Sequence, residues 1–221
     1  MFVKVNKIDL FYEKTGQGEP IILLHGNGES HEIFDILIEQ LSNQYTVYAI
    51  DSRDHGQSSK VNKLNYVTMM EDVASFIQKL GLKKPILYGF SDGGILGLLL
   101  GIHYPNMLSK LIISGANLTP NGVNTKCLIM TIKDYLLTKN KKIKMMLTEP
   151  NIKKTDLEKI IIPTLVLAGS KDLIKEKHTR LIAKHIPNST LKIMNGEDHG
   201  SYIVHSEKLY PILTEYLKEN K

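Results

Sequence analysis

The residues Gly89-Phe90-Ser91-Asp92-Gly93 stand between an apolar run, Ile86-Leu87-Tyr88, and a second one that begins at Ile95. A strand that turns at once into a helix through Gly-x-Ser-x-Gly strains the serine backbone, and glycine two residues to either side removes the clash that side chains would make. The hydroxyl of Ser91 is then lifted above the end of a sheet, at a helix N-terminus whose free N–H groups favour developing negative charge. The same string occurs in ordinary turns, but its position between strand and helix makes nucleophilic chemistry the stronger reading. A serine hydroxyl is a poor nucleophile near neutral pH. It needs a histidine base, and the histidine needs a carboxylate that fixes its tautomer and stabilises the imidazolium.

The chain offers eight histidines. His199, in Asn195-Gly196-Glu197-Asp198-His199-Gly200, follows the strand-like run TLKIM (190–194), and Asp172 follows TLVLA (164–168). His25 and His55 belong to loops, while His31, His103, His178, His185 and His205 lie in or near helices, where surface or core-edge roles account for them. Asp198 adjoins His199, but an immediate neighbour on a loop struggles to reach the inner ring nitrogen and reads as a solvated acid. No histidine pair has helix spacing with a carboxylate nearby, and the one cysteine, Cys127, allows neither an intramolecular disulfide nor a cysteine-built zinc site. No metal is expected.

A sheet must bring these side chains together. Residues 2–5 and 8–13 alternate in strand fashion around a turn, predicting an opening antiparallel hairpin. Residues 20–24 (PIILL), 46–50 (TVYAI), 86–88 (ILY), 111–114 (LIIS), 164–168 and 190–194 predict buried strands, with amphipathic helices near 31–42, 66–80, 92–103, 175–185 and 205–219. This alternation is that of an α/β fold, a mostly parallel twisted sheet with helices on both faces. Residues 117–158 break the rhythm. They lack a strand-like run, have helical character at 131–137, and are interrupted by Asn121-Gly122 and Glu149-Pro150. They predict an insertion of one or two short helices into a core formed by residues 1–116 and 159–221.

At this point the chain resembles the α/β-hydrolase superfamily, in particular its small serine hydrolases, over essentially its whole length. Gly89 to Gly93 matches the family's nucleophile elbow. His25-Gly26-Asn27-Gly28, directly after PIILL, looks like its His-Gly oxyanion loop. Asp51-Ser52-Arg53-Asp54-His55-Gly56-Gln57-Ser58 is similar to the loop after the next strand, with Asp54 where glycine is usual. The resemblance implies a triad in the order Ser91, Asp172, His199, with residues 117–158 as a small helical cap. Some members draw the acid from the strand before the cap, where this chain has Ser114-Gly115-Ala116-Asn117 and no carboxylate. It also implies an oxyanion hole from the backbone N–H groups of Asn27 and Asp92, each worth roughly 3 kcal/mol in the transition state. The Asp92 side chain reads as a first-turn helix acid that points away from the site, or else as a group that disfavours anions near the scissile bond. The implied activity is hydrolysis of a small or medium carboxylic ester or thioester through an acyl-enzyme, without cofactor. Carbon–carbon or amide hydrolysis, or ligand capture without turnover by a signalling protein, use the same pocket and remain open.

Lysine and arginine number 28 against 23 acids, a formal charge of +5, but only Arg53 and Arg180 are arginines and no nucleic-acid-binding motif is present, so nucleic acid is not an expected partner. Residues 117–162 hold nine lysines and four acids, and the rest of the chain balances. The surplus therefore belongs to the insertion, where it either steers an anionic acyl substrate or forms a solvated lysine-rich loop at 139–144. The insertion's apolar residues Leu128, Ile129, Met130, Leu136, Leu137, Met145, Met146 and Leu147 either line an acyl pocket or, for most of them, pack on the core. The longest apolar or glycine run, residues 93–102, is about half of the roughly 20 residues a membrane span needs. With no secretory signal pattern at residues 1–7 and one cysteine, the expectation is a cytoplasmic enzyme with a small-molecule substrate.

Overall fold

Alternate residues of the central strands are buried on opposite faces, which dictates a sheet covered on both sides. Ile22 and Leu24 join one apolar cluster, and Ile21 and Leu23 join the other. The computed structural model describes residues 1–219, so the end of the expected 159–221 stretch lies outside the described residues. In chain order the elements are β1 (Phe2–Val5), β2 (Ile8–Thr15), β3 (Glu19–Leu24), α1 (Asp35–Leu41), β4 (Tyr45–Ile50), α2 (Tyr66–Lys79), β5 (Ile86–Phe90) and α3 (Asp92–His103). There follow β6 (Lys110–Ser114), α4 (Thr125–Thr138), α5 (Lys141–Thr148), β7 (Thr164–Gly169), α6 (Glu176–His185), β8 (Ser189–Met194) and α7 (Leu209–Glu219).

The strands form one sheet in the order β1-β2-β4-β3-β5-β6-β7-β8. β1, β2 and β4 pair antiparallel, and every pair from β4 to β8 is parallel. Residues of α2, α3 and α6 pack on one face, and residues of α1 and α7 on the other. Leu24 pairs with Gly89 and Phe90 with Ser114, so β3, β5 and β6 end level and their following loops gather at one edge. This is the α/β-hydrolase architecture.

Several boundaries differ from the sequence reading, each for a local reason. The first turn of the expected 31–42 helix is a 3-10 turn, His31–Phe34, because the backbone N–H and ring of His31 both bond Asp51. The last helix begins at Leu209, not 205: His205 sits at φ 48°, its N–H donates to the Ile33 carbonyl, and its ring pairs with Asp35 at 2.9 Å. Residues 139–144 are not simply a loop. Lys139 takes a left-handed conformation that ends α4, and the Asn140 side chain caps α5 by accepting from Lys142 N. A 3-10 turn, Lys154–Lys159, runs across the expected 158/159 boundary.

α4 also departs from the expectation that most apolar residues of residues 117–158 pack on the core. None of its residues is buried, and Ile129, Met130, Leu136 and Leu137 are 49% to 85% exposed. α5 does pack, through Met145. It is tied at its start by Lys141, whose ammonium meets the Asp54 carboxylate at 2.8 Å and the Val61 carbonyl, and just beyond its end by Glu149, which accepts from Tyr66 N at 3.0 Å. Asp54, where glycine was the usual residue, adopts φ 67° and also accepts from Val61 N. The turn survives the substitution, and the carboxylate is used to hold α5.

Two buried polar clusters fix the loop after β4. Arg53 meets both oxygens of Asp72 on α2, at 2.5 and 2.6 Å, and Asn6 adds a third bond at 3.0 Å. His25 accepts from Ser52 N through Nε2 at 3.0 Å, and its ring lies 5.1 Å from that of His55. Asp72→Ala leaves the Arg53 charge buried and unpaired, and should cost about 3–5 kcal/mol in urea unfolding. Burial pushes both histidines down from 6.5 to about 4, His25 further through its neighbour His55. Between pH 6.5 and 4 the unfolded chain therefore holds more protons than the folded one. Stability should be at its full value above 6.5 and fall by up to about 3 kcal/mol per ring as pH drops through that window. A urea-midpoint series should show that fall, and it should be shallower in His55→Gln.

Candidate active site

β5 ends at Phe90 and α3 begins at Asp92, so Ser91 alone makes the turn, at φ 52° and ψ −112°. That conformation is strained for a residue with a side chain and costs on the order of 1–3 kcal/mol. It is held by Ser91 N donating to the Ser114 carbonyl at 2.8 Å and by Ile95 N donating to the Ser91 carbonyl at 3.0 Å. A Cβ at Gly89 would lie 2.2 Å from the Gly93 carbonyl oxygen, and one at Gly93 would lie 2.1 Å from the Leu24 carbonyl oxygen. The two glycines are required by close backbone approach.

Ser91, Asp172 and His199 come together although they are far apart in sequence. His199 follows β8, and its Nε2 lies 3.0 Å from Ser91 Oγ, while its Nδ1 lies 2.7 Å from Asp172 Oδ1. Asp172 follows β7, and the same oxygen accepts from Ile174 N at 2.8 Å. Its other oxygen is buried without a protein partner, so the carboxylate's charge is directed at the imidazole. The Phe90 ring packs 4.9 Å from that of His199. Asp198 instead turns into its own loop, accepting from Gly200 N and Ser201 N.

Asn27 and Asp92 sit on the two sides of Ser91, on the loop after β3 and at the first position of α3. Among the described residues, neither backbone N–H donates to a protein acceptor, whereas the next one, Gly93 N, donates to the His25 carbonyl at 3.1 Å. The Asp92 side chain does not point to solvent as a first-turn helix acid would. It is buried, accepting from Tyr66 OH at 2.6 Å and from Asn27 Nδ2 at 2.8 Å, and burial pushes its carboxyl up from the ordinary aspartate value.

Two residues here had no sequence signal. Tyr66, the first residue of α2, reaches Asp92 across 26 positions, and nothing local marks it. Glu29 accepts from Gly26 N at 2.9 Å, and burial raises its carboxyl. A Cβ on Gly26 would lie 2.6 Å from that Glu29 carboxylate and 3.2 Å from Ser91 Cβ, so Glu29 stands close to the nucleophile. The spacing from His25 to Glu29 could have drawn attention to a carboxylate returning to its own loop, but not to the side it faces. Among the described residues no group of three or more His, Cys, Asp or Glu could hold a metal ion, and no helix is long and apolar enough to cross a membrane. Cys127 is half-buried on α4.

Known proteins share parts of this sequence and this fold. Human serine hydrolase BPHL is 28% identical over 250 residues, covering 98% of this chain and 85% of that protein. A Haemophilus influenzae protein named for esterase/lipase activity is 25% identical, covering 85% of this chain and 78% of its own length. A carboxylesterase structure from Nitrososphaera gargenis superposes with a TM-score of 0.85 at 17% identity, covering 100% of this chain and 98% of that one. The meta-cleavage product hydrolase of Pseudomonas fluorescens gives 0.83 at 16%, covering 100% and 98%. At such identities these two structures share the fold alone. The model of the alpha/beta hydrolase fold family matches residues 19–141, more than half of the chain, and the chain belongs to that family of enzymes.

Proposed function

We propose that the protein hydrolyses small or medium carboxylic esters, or thioesters, through an acyl-enzyme on Ser91. The reading is carried by one observation: the unbroken chain from Ser91 Oγ through His199 to Asp172, at 3.0 and 2.7 Å, beside two backbone N–H groups with no protein acceptor. His199 Nε2 takes the Ser91 proton as Oγ attacks the acyl carbon. The carbonyl oxygen becomes an oxyanion that accepts from Asn27 N and Asp92 N. His199 then gives its proton to the leaving alcohol or thiol, and water, deprotonated by the same nitrogen, releases the acid. Asp172 holds Nδ1–H and stabilises the imidazolium formed twice per cycle.

Residues 117–158 act as the cap over this site. Their base is stitched to the acid loop: Val123 bridges Ile174, Asn124 N donates to the Leu173 carbonyl at 2.7 Å, and Lys175 N donates to the Gly122 carbonyl at 2.9 Å. The cap carries eight lysines against four acids, most of the positive surplus, whereas Glu29 and Asp92 place carboxylates beside the nucleophile. An anionic group on the substrate is therefore accommodated only away from the scissile carbonyl, toward the cap.

Fluorophosphonate should label the folded wild-type protein and leave Ser91→Ala unlabelled, with turnover of short nitrophenyl esters falling by at least about 10⁴-fold in that variant. Asp172→Asn should lower kcat by roughly 10³ to 10⁴-fold through the wrong tautomer. Activity near wild type would make Asp172 the wrong acid, and a single slow turnover in the wild type would favour ligand capture over catalysis. For esters with a remote carboxylate, kcat/KM should fall as ionic strength rises, while neutral esters of equal size stay level. Equal salt dependence would remove the role of the lysines.

A further inference from the structure

The two backbone donors of the oxyanion site belong to separate elements, so something must set the distance between them. One link is in the backbone, Gly93 N to the His25 carbonyl, and it stops two residues short of Asn27. Beyond it the loop closes on itself, with Glu29 N donating to the Gly26 carbonyl at 3.4 Å and Gly26 N to the Glu29 carboxylate at 2.9 Å, and neither bond reaches α3. Gly28 is exposed at φ 79°, and a Cβ there would meet nothing within 4 Å. The Asn27 side chain makes one hydrogen bond, from Nδ2 to Asp92 Oδ2 at 2.8 Å. The residues that present the two N–H groups are thus joined to each other by their own side chains. The other oxygen of Asp92 is held at 2.6 Å by the hydroxyl of Tyr66, itself fully buried and anchored through its backbone N–H to Glu149.

We infer that Asp92 is a positioning residue: its carboxylate, fixed by Tyr66, clamps the Asn27 side chain and so sets the spacing of the Asn27 and Asp92 backbone N–H groups at the oxyanion. The inference rests on the acyl-transfer reading above. Recognition of substrate by the Asp92 side chain is the competing role, and the geometry opposes it, because both oxygens are engaged and the residue is only 4% exposed. Burial and the neighbouring Asp92 push the Tyr66 phenol well above its ordinary value, so it stays a donor throughout the working pH range. A buried anion is an awkward neighbour for an oxyanion, and its two donors together with the α3 N-terminus are what make it tolerable. The clamp consists of the bonds, not the charge. Asparagine at position 92 can keep the bond from Asn27 by accepting through its amide oxygen, while the Tyr66 hydroxyl loses the carboxylate oxygen to which it donates.

Steady-state kinetics on a neutral short-chain nitrophenyl ester test this. Asn27→Ala keeps the backbone N–H and removes only the tether. It and Asp92→Ala should each lower kcat by about 10- to 100-fold with KM changed by no more than about threefold, since a misplaced donor is felt in the transition state. Tyr66→Phe should lose less, about three- to tenfold, and Asp92→Asn, which keeps the bond from Asn27, should lose less than Asp92→Ala. Wild-type kcat in Asn27→Ala, a loss confined to KM, or Asp92→Asn as damaged as Asp92→Ala would each overturn the clamp. If Asp92→Ala does not fold, Asn27→Ala on the loop still decides. Absence of Ser91-dependent turnover in the wild type is a separate result, read from Ser91→Ala, and would overturn the acyl-transfer reading and the clamp together.

Discussion

The site depends on one backbone contact, that between the end of β3 and the first turn of α3. At Gly93 there is no room for even a methyl group against the Leu24 carbonyl, and the same residue donates its N–H to His25. Two backbones this close cannot slide past each other, so the start of the loop after β3 is held to the first turn of α3 at His25 and Gly93. The strain at Ser91 is sustained by what surrounds it: strand β6 on one side through Ser114, the first helical bond to Ile95 on the other. A side chain at position 93 would force the two elements apart, and Ser91 would shift relative to the loop after β3.

Asp172 and His199 are brought together by a different constraint, the register of the parallel strands. Gly169 pairs with Met194, so the loops after β7 and β8 leave the sheet side by side and His199 meets Asp172 without either loop having to reach far. A one-residue slip of either strand would turn its side chains to the opposite face and break the pairing. The base of the α4 and α5 segment is bonded to the same acid loop, through Asn124 and Lys175, and so shares this register. Its far end depends instead on Asp54 and Tyr66, which belong to the loop after β4 and to α2. The segment therefore bridges both halves of the sheet edge.

What could be read from the sequence was whatever has a local cause. Gly89 and Gly93 announce a turn because the clash they relieve lies within four residues, and the strand runs announce burial because both faces are apolar. The positions of Asp172 and His199 were legible as strand ends, but their meeting depended on a resemblance rather than on spacing. Tyr66 and Glu29 were illegible because their importance lies in the partner, not in the type. Tyr66 looks like any aromatic at a helix start, and only the fold brings its hydroxyl to Asp92. The lysine run at 139–144 concealed a helix start for the opposite reason: composition dominated the reading, while a single Asn140 cap decided the structure. His205 likewise cut short an amphipathic pattern that continued through it.

The distribution of charge makes long-range attraction and short-range binding two different problems in this molecule. The lysines of residues 117–162 carry the whole formal surplus. Lys142 is half-buried with no carboxylate within ion-pair distance among the described residues, and burial holds its ammonium below the ordinary lysine range. Such a field extends only about 8 Å at physiological ionic strength, enough to act at a mouth but not to govern the floor of a site. Beside Ser91 stand the carboxyl groups of Glu29 and Asp92, both pushed up by burial. In the proposed reaction a substrate presents a neutral carbonyl to Ser91 and leaves any charge it carries toward the lysines. The transition state reverses this economy of charge for one atom alone, the carbonyl oxygen. In the proposed mechanism its new negative charge meets the Asn27 and Asp92 N–H groups, which have no protein acceptor among the described residues, so donors already in place need no reorganisation to receive it.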